Sequence, residues 1–322
     1  MFELIVTALL PVFLVLALGY FAGYRKLIDN RNVASLNVLL MQFALPLTLF
    51  VSIARTSQAV ILENGMLTLV LALALLIVYA VVFQVQRRYY KLSLGDAAVE
   101  TLTIAFPNFA SIGLPLLLPI FGAQAALPVA IAIAVGSVTI SPLTLALIEL
   151  HKARTADNTG SDSHVSALHK FMVALGHSVT KPIFFGPMLG LIVALSGFKL
   201  PAMAVVGVGP LTAATAGVGL FLTGLMLSAQ AIRVTSDVCF GTLVKNVLQP
   251  LLVFGLVRLF HIPDVIGAQA VLLTAIPSGF FGLVFGAGAD LRPPVAGSTL
   301  VVSSLSGIVT LSIAILLLAP HH

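Results

Sequence analysis

The stretch Phe106-Pro107-Asn108-Phe109-Ala110-Ser111-Ile112-Gly113-Leu114-Pro115-Leu116-Leu117 lies in an apolar segment long enough to cross a bilayer. Two prolines, an asparagine, a serine and a glycine stand where a spanning helix would carry leucines. Pro107 offers no backbone N–H, and its ring clashes with the carbonyl four residues earlier. In hydrocarbon each freed backbone group costs several kcal/mol unless protein, water or ligand satisfies it. A helix broken at mid-membrane is therefore tolerated where it lines a cavity. A second stretch of this kind lies far downstream: Ala275-Ile276-Pro277-Ser278-Gly279-Phe280-Phe281-Gly282.

Outward from these two stretches, the chain is 322 residues long, 59% hydrophobic and 8% charged, against about 25% charged in a soluble domain. That composition reads as an all-α polytopic membrane protein whose first partner is the lipid bilayer. The single cysteine, Cys239, excludes an internal disulfide framework and a cysteine-based metal site. The net charge of +5 is a topology signal here and does not point to nucleic acid. The first apolar run has no basic leader and no small-residue cleavage site, so it reads as a retained helix. No role is assigned to the terminal His321-His322.

Counting about 20 apolar residues per span gives ten predicted spans. The first five are Leu4–Tyr24, Val33–Ala54, Gly65–Val85, Ala97–Phe121 and Ala125–Leu150. The second five are Lys170–Ser196, Val205–Ile232, Val238–Phe260, Val265–Ala289 and Pro293–Leu318. The polar stretch 151–169 separates repeat 1–150 from repeat 170–322. Thirteen Lys and Arg, Lys245 among them, are assigned to odd-numbered loops, and only Arg55, Lys199 and Arg258 to even ones. By the positive-inside rule the odd loops and the linker face the cytoplasm, and both termini face the periplasm. Five spans on each side of a cytoplasmic linker force the two halves into opposite orientations. The breaks fall in the fourth span of each half, and each is followed by Pro-Val-Ala, at Pro128-Val129-Ala130 and Pro294-Val295-Ala296. Interrupted spans at corresponding places point to a transporter's midplane site.

At these residues the chain resembles the auxin efflux carrier family. The resemblance rests on Asn37 followed by Pro46 in span 2, and on Pro107-Asn108 with Gly113-Leu114-Pro115 in span 4. It continues in Leu222-Thr223-Gly224-Leu225-Met226-Leu227-Ser228 of span 7 and Ile276-Pro277-Ser278-Gly279 of span 9. Within the family the chain looks most like bacterial malonate carriers. The resemblance implies a fold related to sodium/proton antiporters and bile-acid symporters, with broken spans 4 and 9 crossing each other. It further implies a scaffold of spans 1, 2, 6 and 7, often a homodimer contact, and a mobile core of spans 3–5 and 8–10 that moves as an elevator. Plant members commonly carry Gln after the span 9 proline, where this chain has Ser278.

Half-helix N-termini facing one point form an anion site without Lys or Arg, because unpaired N–H groups and the helix dipole both attract negative charge. The breaks at Pro107 and Pro277, with Pro46, Gly113 and Pro115 as further helix-breaking positions, place Asn108 and Ser278 near N-cap positions. Ser111 shares a face with Asn108, and Gly279 permits close backbone approach. Asn37, Thr48 and Ser52 are candidates to close the site from span 2, the last two on one face. A membrane proton carrier is normally a carboxylate or histidine, and the best placed is Glu100, read as lying near the cytoplasmic surface together with His177. Gln42, Gln124, Gln230, Gln249 and Gln269 read as interhelical or interfacial.

These features lead to a secondary carrier for a small organic carboxylate, most simply malonate uptake across a bacterial inner membrane. No cofactor is expected; Na+ or H+ is the candidate co-transported ion. The rivals are efflux of a hydrophobic weak acid and a passive anion channel. An intramembrane enzyme would need paired membrane Asp or a His-Glu zinc motif, and an ATP-driven pump a phosphate-binding loop; the sequence has none of these.

Overall fold

A computed structural model describes residues 2–30, 33–55, 58, 64–157, 182–229, 232–291 and 293–318. Among these the chain is helical throughout, with no strand beyond one isolated bridge. The first half contains α1 Phe2–Tyr24, α2 Ala34–Ala54, α3 Gly65–Arg88, α4 Leu94–Ala105, α5 Leu114–Phe121, α6 Ala126–Val138 and α7 Ile140–Asp157. The second contains α8 Pro182–Ser196, α9 Ala202–Leu227, α10 Ser236–Leu259, α11 Asp264–Ala275, α12 Phe281–Ala287 and α13 Pro294–Leu318. Six stretches among the described residues are long and apolar enough to cross a membrane: α2, α3, Pro128–Thr155, α9, α10 and α13. Leu10, Leu14, Phe21, Val81, Phe185 and Val309 are exposed on helix surfaces. Exposed apolar side chains in such number are expected where lipid is the solvent.

Helix lies in each predicted span. The main boundary difference is at α7, which runs to Asp157 and so carries helix past Leu150 into the polar linker. The rest of the linker, Lys170, His177, Gln230 and the terminal histidines lie outside the described residues.

Proline chemistry explains the irregular turns. Three π-helical turns occur, Leu39–Ala44, Phe109–Gly113 and Val244–Leu248. Each ends two residues before a proline, namely Pro46, Pro115 and Pro250. The proline ring pushes away the carbonyl four residues back, and a widened turn relieves that clash without ending the helix. Pro107 and Pro277 act differently. Helix stops before each, leaving α4 and α11 at 12 residues apiece, too short to span alone. Ser93 fixes the start of α4, its Oγ accepting from Asp96 N at 3.0 Å.

The helices form two groups. α1 packs on α9, and α2 on α8 and α9. Small residues set the α1–α9 approach: a Cβ on Gly19 would lie 2.1 Å from Phe221 O, and one on Gly224 would lie 2.0 Å from Leu16 O. The remaining helices form the second group, in which α4 packs against α3, α7, α12 and α13. An apolar cavity of about 180 Å³ lies where the groups meet, between Ile53, Ala72, Ile131, Val135 and Leu191.

Candidate functional site

The two proline breaks meet. Pro107 and Ser278 form an antiparallel bridge, closed by Asn108 N donating to Pro277 O at 3.1 Å and Gly279 N donating to Phe106 O at 2.9 Å. The bridged pair is therefore the one that exchanges no hydrogen bond itself. That is the position where proline costs nothing, since Pro107 has no N–H to leave unpaired. The N–H of Ser278 points away from the bridge and donates to Ser303 Oγ of α13 at 3.0 Å.

Helix resumes differently after each break. After Asn108 it restarts through the π-helical turn, with Ile112 N donating to Asn108 O at 3.0 Å. After Gly279 it restarts at Phe280, whose carbonyl accepts from Val284 N at 3.0 Å. Gly279 allows the crossing: a Cβ there would lie 2.5 Å from Phe106 O. Gly282 then lets α12 lie on α4, where a Cβ would meet Val99 O at 2.5 Å. Stacked rings pack against the crossing, Phe106 on Phe281 and Phe280 on Phe281, each with centroids 5.0 Å apart.

Behind the crossing runs α10. Asn246 donates to Ser303 O at 2.8 Å and to Ser306 Oγ at 3.0 Å, while its Oδ1 accepts from Ser303 Oγ at 2.7 Å. Gln249 Nε2 donates to Ala105 O, the last carbonyl of α4, at 2.9 Å. Lys245 Nζ donates to Thr274 O in the last turn of α11. One bulged helix thus supplies donors to carbonyls that both broken helices leave at their ends. Gln249 is interhelical, as the sequence suggests.

The structure brings together Asn108, Ser278 and Gly279, and buries Asn108 and Ser278 to 2% and 1% exposure. The Ser278 hydroxyl has no hydrogen-bond partner. The backbone of Ser111 lies in the first restart turn; its side chain and that of Pro115 lie outside the described residues. Gly113, Pro115 and Pro46 sit within continuing helix rather than at the extended crossing. The Thr48 hydroxyl pairs with Thr215 of α9 at 2.7 Å and with Ala44 O at 2.7 Å. Ser52 lies one turn further along α2 and is half-buried. Asn37 is buried beside Gly288, past the end of α12, with its Oδ1 unpartnered.

Two expectations are corrected. Lys245, assigned to a cytoplasmic loop, lies inside α10 at 0% exposure, so the interior does contain a basic residue. Glu100, read as near the surface, is also fully buried; its Oε1 accepts from Thr299 Oγ1 of α13 at 2.6 Å, and its Oε2 has no partner. Both were read as surface groups because charge is expensive in a membrane interior. The run Lys245-Asn246 with Gln249 one turn on, inside an apolar segment, was the signal that could have revealed the first.

The chain is 27% identical over 302 residues to the Escherichia coli K12 protein named "Uncharacterized transporter YfdV", covering 94% of each chain. It is 22% identical to "Auxin efflux carrier component 8" of Arabidopsis thaliana, covering 95% of each chain. It is 24% identical to a Rhizobium meliloti protein named "Putative malonate transporter", covering 94% of this chain and 92% of that one. The family model described as "Membrane transport protein" matches residues 4–315. The chain therefore belongs to this membrane transport family, that of the auxin efflux carriers, and is a transporter rather than an enzyme.

Proposed function

We infer that the protein is a secondary carrier for a small organic carboxylate, with malonate as the favoured substrate, taken up across the bacterial inner membrane. The observation that carries this reading is the Ser278 hydroxyl, buried and unpartnered beside two helix ends that meet. A buried polar group without a partner is costly, and a carboxylate accepting from it would remove that cost. Asn108, Ser111, Ser278 and the backbone at Gly279 form the substrate contacts in this reading, with Asn37 and Ser52 closing the site from α2. The name of the Rhizobium relative agrees with malonate.

The mechanism is alternating access in elevator fashion. Ten spans form two inverted repeats, with odd loops cytoplasmic and both termini periplasmic. The group α1, α2, α8 and α9 is the scaffold, through which the protein forms a homodimer, and the other helices carry the site across. The separation of the helices into two groups, with small residues tightening α1 on α9, supports that division.

The test is uptake of labelled malonate into proteoliposomes, with sodium, pH and potential varied separately. Saturable uptake is expected for the wild type. Asn108→Ala and Ser278→Ala should lower it at least tenfold while the protein stays monodisperse; normal uptake by both variants would move the site elsewhere. A second reading is favoured by the phenylalanines at the crossing: an aromatic or other hydrophobic weak acid, moved outward. Competition decides between the two. Phenylacetate displacing malonate at lower concentration than malonate itself would select the hydrophobic acid.

A further inference from the structure

Lys245 is the one charged side chain that α10 brings behind the crossing. It is fully buried, and its single hydrogen bond among the described residues goes to Thr274 O. The turn that holds it packs against α4, α11 and α13. The titratable groups on those helices are Asp96 and Glu100 on α4 and Asp264 on α11; α13 has none. The next turns of α10 pack on α3, which carries Tyr79, Arg87 and Arg88, while α10 itself carries Asp237, Cys239 and Arg258. Each carboxylate has a partner other than Lys245 among the described residues, although Glu100 Oε2 is left without one. Asp96 meets Ser93, Glu100 meets Thr299, Asp237 meets Thr235 and Val238 N, and Asp264 meets Arg258.

An ammonium at that position gives up its hydration for one carbonyl, and no buried carboxylate compensates it. The neutral amine carries no such burden. An anion at the crossing changes the balance, because opposite charges attract strongly where the dielectric is low. The route between the two is short. Asn246, the next residue, is tied through Ser303 Oγ to the Ser278 N–H, and Thr274 lies in the last turn before the Pro277 break. By linkage, each ligand then favours the other: the anion favours the proton on Lys245, and the proton favours the anion.

Resting on the carrier reading above, we propose that Lys245 is the proton-carrying group of the cycle, which makes the protein a proton–carboxylate symporter with no requirement for sodium. On the entry side the amine lone pair takes a proton from hydronium, an N–H bond forming as an O–H bond breaks. On the other side the N–H bond breaks and the proton passes to water, re-forming hydronium. Glu100, also fully buried but held by Thr299, is the competing candidate for this role.

The test uses proteoliposomes holding labelled malonate exchange (counterflow) and net uptake as separate readouts, with the potential clamped at zero. Wild-type protein should accumulate malonate more than tenfold under an inside-alkaline gradient and not under a sodium gradient. Lys245→Arg, which keeps the cation, should still exchange malonate in counterflow, Lys245→Met should exchange only at higher malonate concentration, and both should lose at least tenfold of the pH-driven accumulation, since neither side chain exchanges a proton near neutral pH. Glu100→Gln should keep it. Accumulation driven by protonation of malonate itself would survive in both lysine variants, and that result overturns the proposal. So does loss of drive in Glu100→Gln alone, or sodium-driven uptake by the wild type. If both lysine variants fail to exchange, malonate added to wild-type vesicles must alkalinise a weakly buffered medium; no alkalinisation overturns the proposal. Counterflow without pH drive in the wild type overturns this inference alone, whereas absence of counterflow overturns the carrier reading and this inference with it.

Discussion

The two broken helices look alike in sequence and are held by different means. Ala105-Phe106-Pro107-Asn108 matches Ala275-Ile276-Pro277-Ser278 position by position. Yet Pro107 faces Ser278, not Pro277, so the crossing is displaced by one residue from the sequence match. The displacement leaves Asn108 donating across the bridge, while the N–H of its counterpart Ser278 turns to Ser303. Beyond the backbone bridge that both breaks share, the first is fixed by Gln249 reaching over from the other half. The second is fixed by side chains of its own half: Lys245, Asn246 and Ser303. A repeated sequence motif thus encodes a repeated interruption, while packing decides how each interruption is satisfied. In the second break one donor network does that satisfying, and the Ser278 hydroxyl is left without a partner among the described residues.

The strongest way to break the comparison is at Gly279, where a methyl group would lie 2.5 Å from the backbone oxygen of Phe106. Backbone cannot move aside as a side-chain tip can, so Gly279→Ala should cost about 3 kcal/mol. Thermal unfolding in detergent should show a lowered midpoint, and malonate exchange should fall with it. A variant as stable as the wild type would mean the two strands are not paired as described. Ser303→Ala comes next. It strands both the buried Ser278 N–H and Asn246 Oδ1, at about 2 kcal/mol in sum. Gln249→Leu, its counterpart at the first break, strands Ala105 O but also deletes a buried Oε1 that has no partner. The loss should therefore be nearer about 1 kcal/mol. Equal losses at the two positions would erase the distinction between the breaks.

How far the sequence could foresee this follows from what each feature depends on. The breaks were legible because Pro107 and Pro277 interrupt apolar runs, and a missing N–H acts locally. Asn108, Ser278 and Gly279 were legible as their immediate neighbours. The division of the helices into scaffold and core is implied by the family resemblance alone. The one-residue register of the bridge was not legible, because it depends on how α4 and α12 nest through Gly282. The pairing of Thr48 with Thr215, a residue 167 positions away, was not legible either, because it depends on how α2 packs on α9. Glu100, in the first turn of a predicted span, and Lys245, well inside another, were misplaced for one reason: charge is expensive in a membrane and so defaults to the surface. Only the tertiary partners, Thr274 O and Thr299 Oγ1, draw these two inward.

The smallest effect should come from Gly113, which the sequence offers as a helix-breaking position beside Pro107 and Pro277. The structure gives it helical angles, φ −55° and ψ −59°. A Cβ there would meet side chains alone, Val129 at 3.0 Å for Cγ1 and 3.4 Å for Cγ2, and Leu273 Cδ2 at an ordinary contact distance of 3.5 Å. In a helix, alanine gains about 1 kcal/mol over glycine, and a tight methyl contact that can shift by a few tenths of an ångström takes back a similar amount. Gly113→Ala should therefore unfold within about 0.5 kcal/mol of the wild type and exchange malonate at the wild-type rate. Measured beside Gly279→Ala in the same detergent, it asks where the first helix is interrupted. A loss as large as that of Gly279→Ala would move the interruption from Pro107 to Gly113 and make the restart turn, rather than the bridge, the hinge of the first half.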